Sequence, residues 1–180
     1  MRILSQTDGS VLWLLKSNKW AQGNLRREAQ ARGTDPFRLI FAETLPHAEH
    51  LERHKHADLF IDTFNVNAHT TASDALWAGL PVVTKQGEQF AARVAASLLK
   101  AVGLPELVTT TEADYEALII QLASNPEKLT AIKNKLAANR LTEPLFDTKQ
   151  YTRNFERGLQ KAYDLYLNGE VPQDVWVDSE

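Results

Sequence analysis

Cysteine is absent from the 180 residues, which excludes disulfides and thiolate metal sites and agrees with a reducing cytoplasmic setting, the default expectation. Long apolar runs are absent too. The run Val11-Leu12-Trp13-Leu14-Leu15 falls far short of the roughly 20 residues needed to cross a bilayer. The polar stretch Ser5 to Ser10 ahead of it is unlike a signal peptide, so no membrane or targeting segment is expected. Charge of one sign is not concentrated anywhere: 20 basic and 23 acidic residues are dispersed to a net −3, without the basic stripe that a phosphate backbone requires. Nucleic acid is therefore not an expected partner. No internal repeat or low-complexity tract occurs, and no Asp-x-Asp pair is present to hold a divalent cation on a phosphorylated substrate.

What is present has globular proportions, with 43% hydrophobic and 24% charged residues, enough for one core. Met1-Arg2-Ile3-Leu4 resembles the tail of an amphipathic helix running into an Asp8-Gly9 turn, as if the chain were part of something longer. Val11 to Leu15, bounded by turn signals, predicts a strand covered on both faces. A helix over Asn24 to Arg32, stopped by Gly33, then leads to a strand at Arg38 to Phe41.

Pro46 opens a helix through about His56 with its histidines outward, followed by a strand over Asp58 to Asp62. An irregular loop from Thr63 to Ala68 precedes a helix from Thr70 to Ala78, closed by Gly79, and a strand at Pro81 to Thr84. Further helices are predicted over 88–102, 112–124 and 126–139, with a short strand at Leu107-Val108. Such alternation specifies an α/β fold, a Rossmann-like parallel sheet with helices on both faces. Residues 1–147 form this domain. Residues 148–180 add a long helix from Thr148 to Leu167, with Tyr151, Phe155, Leu159, Tyr163 and Tyr166 near helical spacing, able to pack on a neighbour or to self-associate.

Ligands of open α/β sheets bind beyond the carboxyl ends of the strands. Among those loops, Asn67-Ala68-His69-Thr70-Thr71 runs directly into a helix, setting backbone amides, two hydroxyls and an imidazole at the positive end of a helix dipole. A diphosphate suits such a site. Asp74 lies one turn on, on the face of Thr70, within reach of a ribose attached to that diphosphate. Spacing alone equally allows Thr70 to be an ordinary N-cap and Asp74 an acid complementing the dipole. Trp13 and Trp77 read as core, and Gly87-Glu88 as a strand-to-helix turn whose amides can approach a ligand.

The stretch from His69-Thr70-Thr71-Ala72-Ser73-Asp74 through Trp77-Ala78-Gly79-Leu80-Pro81 to Thr84 resembles the donor-binding signature of the O-GlcNAc transferase family. Val11 to Leu15, the Gly87 to Ser97 segment and Pro144-Leu145-Phe146-Asp147-Thr148-Lys149-Gln150-Tyr151 resemble that family in the same order. The resemblance implies the second, donor-binding half of a two-domain GT-B glycosyltransferase: inverting, metal-independent, without cofactor, and using a UDP-sugar, with UDP-GlcNAc favoured. It implies that His69, Thr70 and Thr71 hold the diphosphate, with His69 helping to stabilise the leaving group. Asp74 would hold the ribose, while His50 and Arg53 would sit near the nucleobase and sugar-phosphate. His47 stands where members more often carry lysine. The first catalytic domain, the tetratricopeptide repeats, a diphosphate-contacting lysine and the surfaces that receive the protein acceptor are expected upstream of Met1, so this chain alone is expected not to transfer sugar.

His47, His50 and His54 fall at i, i+3 and i+7, a spacing that also allows zinc, but with no cysteine or fixed carboxylate a solvated face is the better expectation. Two other readings stand beside the transferase: another GT-B enzyme such as a nucleotide-sugar epimerase, and a binding or interaction module without turnover. Spindly-type relatives, which use GDP-fucose, leave the nucleotide and sugar open.

Overall fold

A computed structural model describes residues 1–177. A short helix α1 (Arg2–Ser5) precedes strand β1 (Leu12–Leu15), helix α2 (Lys19–Ala31) and strand β2 (Leu39–Ala42). Helix α3 (His47–Arg53) runs through a 3-10 turn (His54–His56) to β3 (Phe60–Ile61), α4 (Thr70–Trp77) and β4 (Val82–Lys85). A 3-10 turn at Phe90–Ala92, α5 (Val94–Ala101), β5 (Val108–Thr109), α6 (Glu112–Ser124), α7 (Pro126–Asn139) and α8 (Thr148–Leu167) complete the order.

All strand pairs are parallel, as alternating elements require. They form two ladders, β1 with β2 in the register Leu12 to Leu39, and β3-β4-β5 with Phe60 opposite Val82 and Thr84 opposite Val108. The main core lies on the second ladder. Val82 and Val83 of β4 pack with Ala72, Ala75 and Leu76 of α4, Ala95 and Leu99 of α5, and Tyr115, Ile119 and Leu122 of α6. Around the first ladder the buried cluster is only Leu4, Ala29 and Leu39.

Several elements differ from the sequence expectation. Helix α2 starts at Lys19, because the Asn18 side chain accepts the Ala21 N–H as an N-cap and Gly23 is carried inside the helix. The strand expected over Asp58 to Asp62 is two residues long. The helix expected over 88–102 is broken: Gly87 N–H donates to the Ala92 carbonyl at 2.8 Å, closing a loop that only a residue without a side chain allows, since a Cβ at Gly87 would lie 2.7 Å from that of Ala92. Strand β1 is not covered on both faces; Trp13 is 38% exposed and Leu15 more so. Trp77, expected in the core, is 45% exposed and lies between Phe146 and the Arg140 guanidinium. The stops at Gly33 and Gly79 are in place, both with positive φ.

Helix α8 buries no residue, and its aromatic stripe is 54–76% exposed from Phe155 to Tyr166. The tail turns back on it, with Lys161 Nζ donating to the Trp176 carbonyl. Among the described residues no helix is long and apolar enough to cross a membrane.

Candidate functional site

The loop between β3 and α4 is fixed from below by Asp62. Its Oδ1 accepts the N–H groups of Thr63 (2.8 Å) and Ala68 (2.7 Å), and its Oδ2 accepts the Thr84 hydroxyl at 2.6 Å. The Tyr115 hydroxyl donates to the Asp62 carbonyl at 2.7 Å, tying α6 to the same point. Burial pushes the Asp62 carboxyl above its ordinary range, against the pull of those three hydrogen bonds. Burial also raises the Tyr115 phenol, with the Asp62 charge adding to it. Asn67 closes the loop, its Nδ2 donating to the Thr63 carbonyl and its N–H to that of Ala91.

The loop delivers His69 as the N-cap of α4, with φ −100° and ψ −93° and no side-chain cap on the helix. The His69 carbonyl accepts from Ala72 and Ser73, so the turn is formed while Thr70 and Thr71 stand exposed at its open end. This differs from the plain Thr70 N-cap that spacing allows. The His69 ring is half-buried, with Nε2 3.4 Å from the Ala91 carbonyl and the Phe90 ring edge-on at 6.0 Å. Phe90 itself is 75% exposed.

Helix α3 flanks the open end of α4. His47 Nε2 lies 3.4 Å from Asp74 Oδ1, a long contact made by an exposed imidazole to a half-buried carboxylate. His50 sits behind it with its pKa lowered, chiefly by burial and then by His54 and Arg53, while Asp74 opposes the shift. The imidazole of His50 is thereby favoured neutral. Arg53 points toward the ends of the first ladder, donating to the Glu43 carbonyl at 2.6 Å with its guanidinium 5.8 Å from the Trp13 ring centre.

His54 corrects the expectation that the histidines of this helix all face outward. It is buried, its Nδ1 donates to the His50 carbonyl at 2.7 Å, and its ring meets that of His50 edge-on at 4.6 Å. A set of three outward imidazoles does not form, and no group of three or more His, Cys, Asp or Glu able to share a metal occurs among the described residues. Of the candidate residues, the structure brings His47, His50 and Asp74 together beside Thr70 and Thr71. It seats His69 against the 90–91 turn and directs Arg53 to the β1–β2 side. Sequence reasoning missed Asp62. The signal was there, a carboxylate at the end of a strand entering a polar loop, but nothing local says that it turns inward.

Residues 1–155 match the family model described as glycosyl transferase family 41. The chain belongs to this family. It is 40% identical to the Arabidopsis thaliana protein named probable UDP-N-acetylglucosamine--peptide N-acetylglucosaminyltransferase SEC, over 97% of this chain and 18% of that protein. It is 36% identical to the Caenorhabditis elegans UDP-N-acetylglucosamine--peptide N-acetylglucosaminyltransferase, over 94% of this chain and 15% of that one. Among solved structures, a mutant of the Thermobaculum terrenum O-GlcNAc transferase superposes with a TM-score of 0.84 at 27% identity, over 89% of this chain and 31% of that one. The chain thus spans less than a fifth of these two curated relatives. The family membership and the α/β architecture with its long terminal helix agree with the resemblance carried by the His69 to Thr84 stretch.

Proposed function

We propose that this chain is the nucleotide-sugar-binding half of an inverting protein O-glycosyltransferase, with UDP-GlcNAc as donor. The observation that carries this reading is the uncapped amino end of α4, where the exposed Thr70 and Thr71 meet the half-buried His69 and Asp74. Free amides and a helix dipole favour the diphosphate, and the two hydroxyls add donors. Asp74 has the reach to accept from a ribose once the long His47 contact yields, and His50, beside it on α3, is the candidate neighbour of the base.

In transfer, negative charge develops on the departing diphosphate. Oriented amides, hydroxyls and the His69 imidazole stabilise it as fixed dipoles, without a metal. Arg53 in its present orientation ties α3 to the end of β2, and a role at the nucleotide requires it to leave the Glu43 carbonyl. The acceptor hydroxyl and its base belong to surfaces beyond this chain.

Titration of UDP into the chain and into a Thr70→Val/Thr71→Val variant tests the placement. The double variant keeps the helix shape and loses both hydroxyls, so affinity should fall at least fivefold. A fall smaller than twofold, about 0.4 kcal/mol, overturns it. Titration with GDP alongside distinguishes the nucleotide, and binding of neither nucleotide returns the chain to an interaction module.

A further inference from the structure

We propose that Asp62 is a positioning residue for the donor diphosphate, acting through the 63–69 loop and without touching the ligand. This inference rests on the donor reading above. The carboxylate is buried at the end of β3, and each of its oxygens is engaged by donors from a different part of the fold. Oδ1 gathers both ends of the loop, the Thr63 N–H where it leaves the strand and the Ala68 N–H next to His69. Oδ2 takes the hydroxyl of Thr84, which is fully buried in the adjacent strand. The position at which α4 begins is thus referred to the middle of the β-ladder through one side chain.

Three donors converge on two oxygens, which is the arrangement an ionised carboxylate satisfies and a hydroxyl or alkyl group does not. The same group is buried at a cost to its charged form. A fold seeking only stability has cheaper ways to end a strand, since buried charge is expensive unless it secures something. What is secured here is the direction of the first amides of α4 and the seat of His69. Tyr115 reinforces the point by holding the Asp62 carbonyl, and Phe64 lies edge-on to the Tyr115 ring at 5.1 Å, so the start of the loop is clamped on both sides. The base side of the site is built from α3, which none of these bonds touches, and Asp74, proposed for the ribose, lies in α4 one turn beyond the amides that the loop directs.

The expected signature is therefore a split between ligands. UDP and uridine binding are measured on the 180-residue chain by NMR titration, for the parent, Asp62→Ala and Asp62→Asn, with thermal melts alongside. Asp62→Ala should weaken UDP at least tenfold and leave uridine within twofold, whereas Asp62→Asn, which keeps an oxygen for the two amides, should recover UDP binding to within about threefold of the parent. Equal losses for UDP and uridine in Asp62→Ala, or UDP affinity unchanged within threefold, overturn the inference. If Asp62→Ala does not fold, Thr84→Val decides: it removes one donor at nearly constant volume and should weaken UDP at least threefold with uridine unchanged, and equal effects on both ligands overturn the role. A parent chain that binds uridine and UDP equally contradicts the diphosphate site itself, a failure distinct from that of Asp62.

Discussion

The two ladders of this domain are packed to different degrees. Around β3-β4-β5, helices α4, α5 and α6 enclose a continuous core in which Leu76, Val82, Val83 and Leu99 have no exposed surface. Around β1-β2 the buried hydrophobic cluster is Leu4, Ala29 and Leu39, with Thr7 and Thr34 buried beside it, while Trp13, Leu15 and Ile40 present apolar surface; α8 separately leaves its aromatic stripe uncovered. The ladder that carries the proposed diphosphate site is finished within the chain. The other ladder and the terminal helix leave contiguous apolar side chains exposed. Buried packing is concentrated on the ladder that carries the proposed phosphate site, and exposed apolar surface on the other ladder and the terminal helix.

Substitutions sharpen that contrast. Leu76→Ala empties a site in the finished core and should cost about 2–5 kcal/mol, read as a shift of the denaturation midpoint. Gly87→Ala forces a Cβ against Ala92 at the turn beside the site and should cost about 1–3 kcal/mol, with UDP binding weakened in parallel. A Phe155→Ser/Tyr163→Ser variant of α8 should change stability by no more than about 0.5 kcal/mol per site, because neither side chain is buried here. It should lower self-association in sedimentation measurements. A stability loss in the α8 variant as large as that of Leu76→Ala would abolish the distinction between the two regions.

The pH dependence of stability gives the smallest effects, and they have opposite signs. His50 is lowered from its ordinary 6.5, so the unfolded chain binds the extra proton first and stability falls as pH drops below that value toward the folded one. Asp62 is raised from its ordinary 3.8, so between that value and its folded one the folded chain holds the extra proton. Its contribution is therefore lost as pH rises through that window. Melts of the parent and of His50→Gln between pH 7.5 and roughly 5 isolate the histidine, and the variant should show the flatter profile. Identical profiles would remove the burial argument for His50.

Much of the fold is legible in the sequence where local chemistry decides it. Helices α6, α7 and α8 begin where side-chain caps stand, with Thr111, Asn125 and Asp147 accepting from the amides three residues on, and their extents follow the apolar spacing. The motif from His69 to Asp74 is legible for the same reason, as a polar loop running into a helix. Features set by distant contacts are not. The outward expectation for His54 fails because its ring finds the His50 carbonyl and a buried seat. The break at Gly87 to Arg93 depends on a backbone bond to Ala92, and the role of Asp62 depends on Thr84 lying in the next strand. Trp13 and Trp77 mislead in the other direction, since large apolar rings imply burial and here lie half open under Arg53 and Arg140.

The most direct test of the account compares sugar transfer to a peptide acceptor, with radiolabelled UDP-GlcNAc, by this chain and by a form extended upstream to the length of its family relatives. Orientation of donor and acceptor across a two-domain cleft supplies on the order of 7–11 kcal/mol of barrier reduction in favourable cases. The 180-residue chain should bind UDP yet transfer no measurable label, while the extended protein should do both. Equal transfer by the two would place the whole catalytic apparatus within these residues and contradict the reading of the chain as the donor half of a larger site.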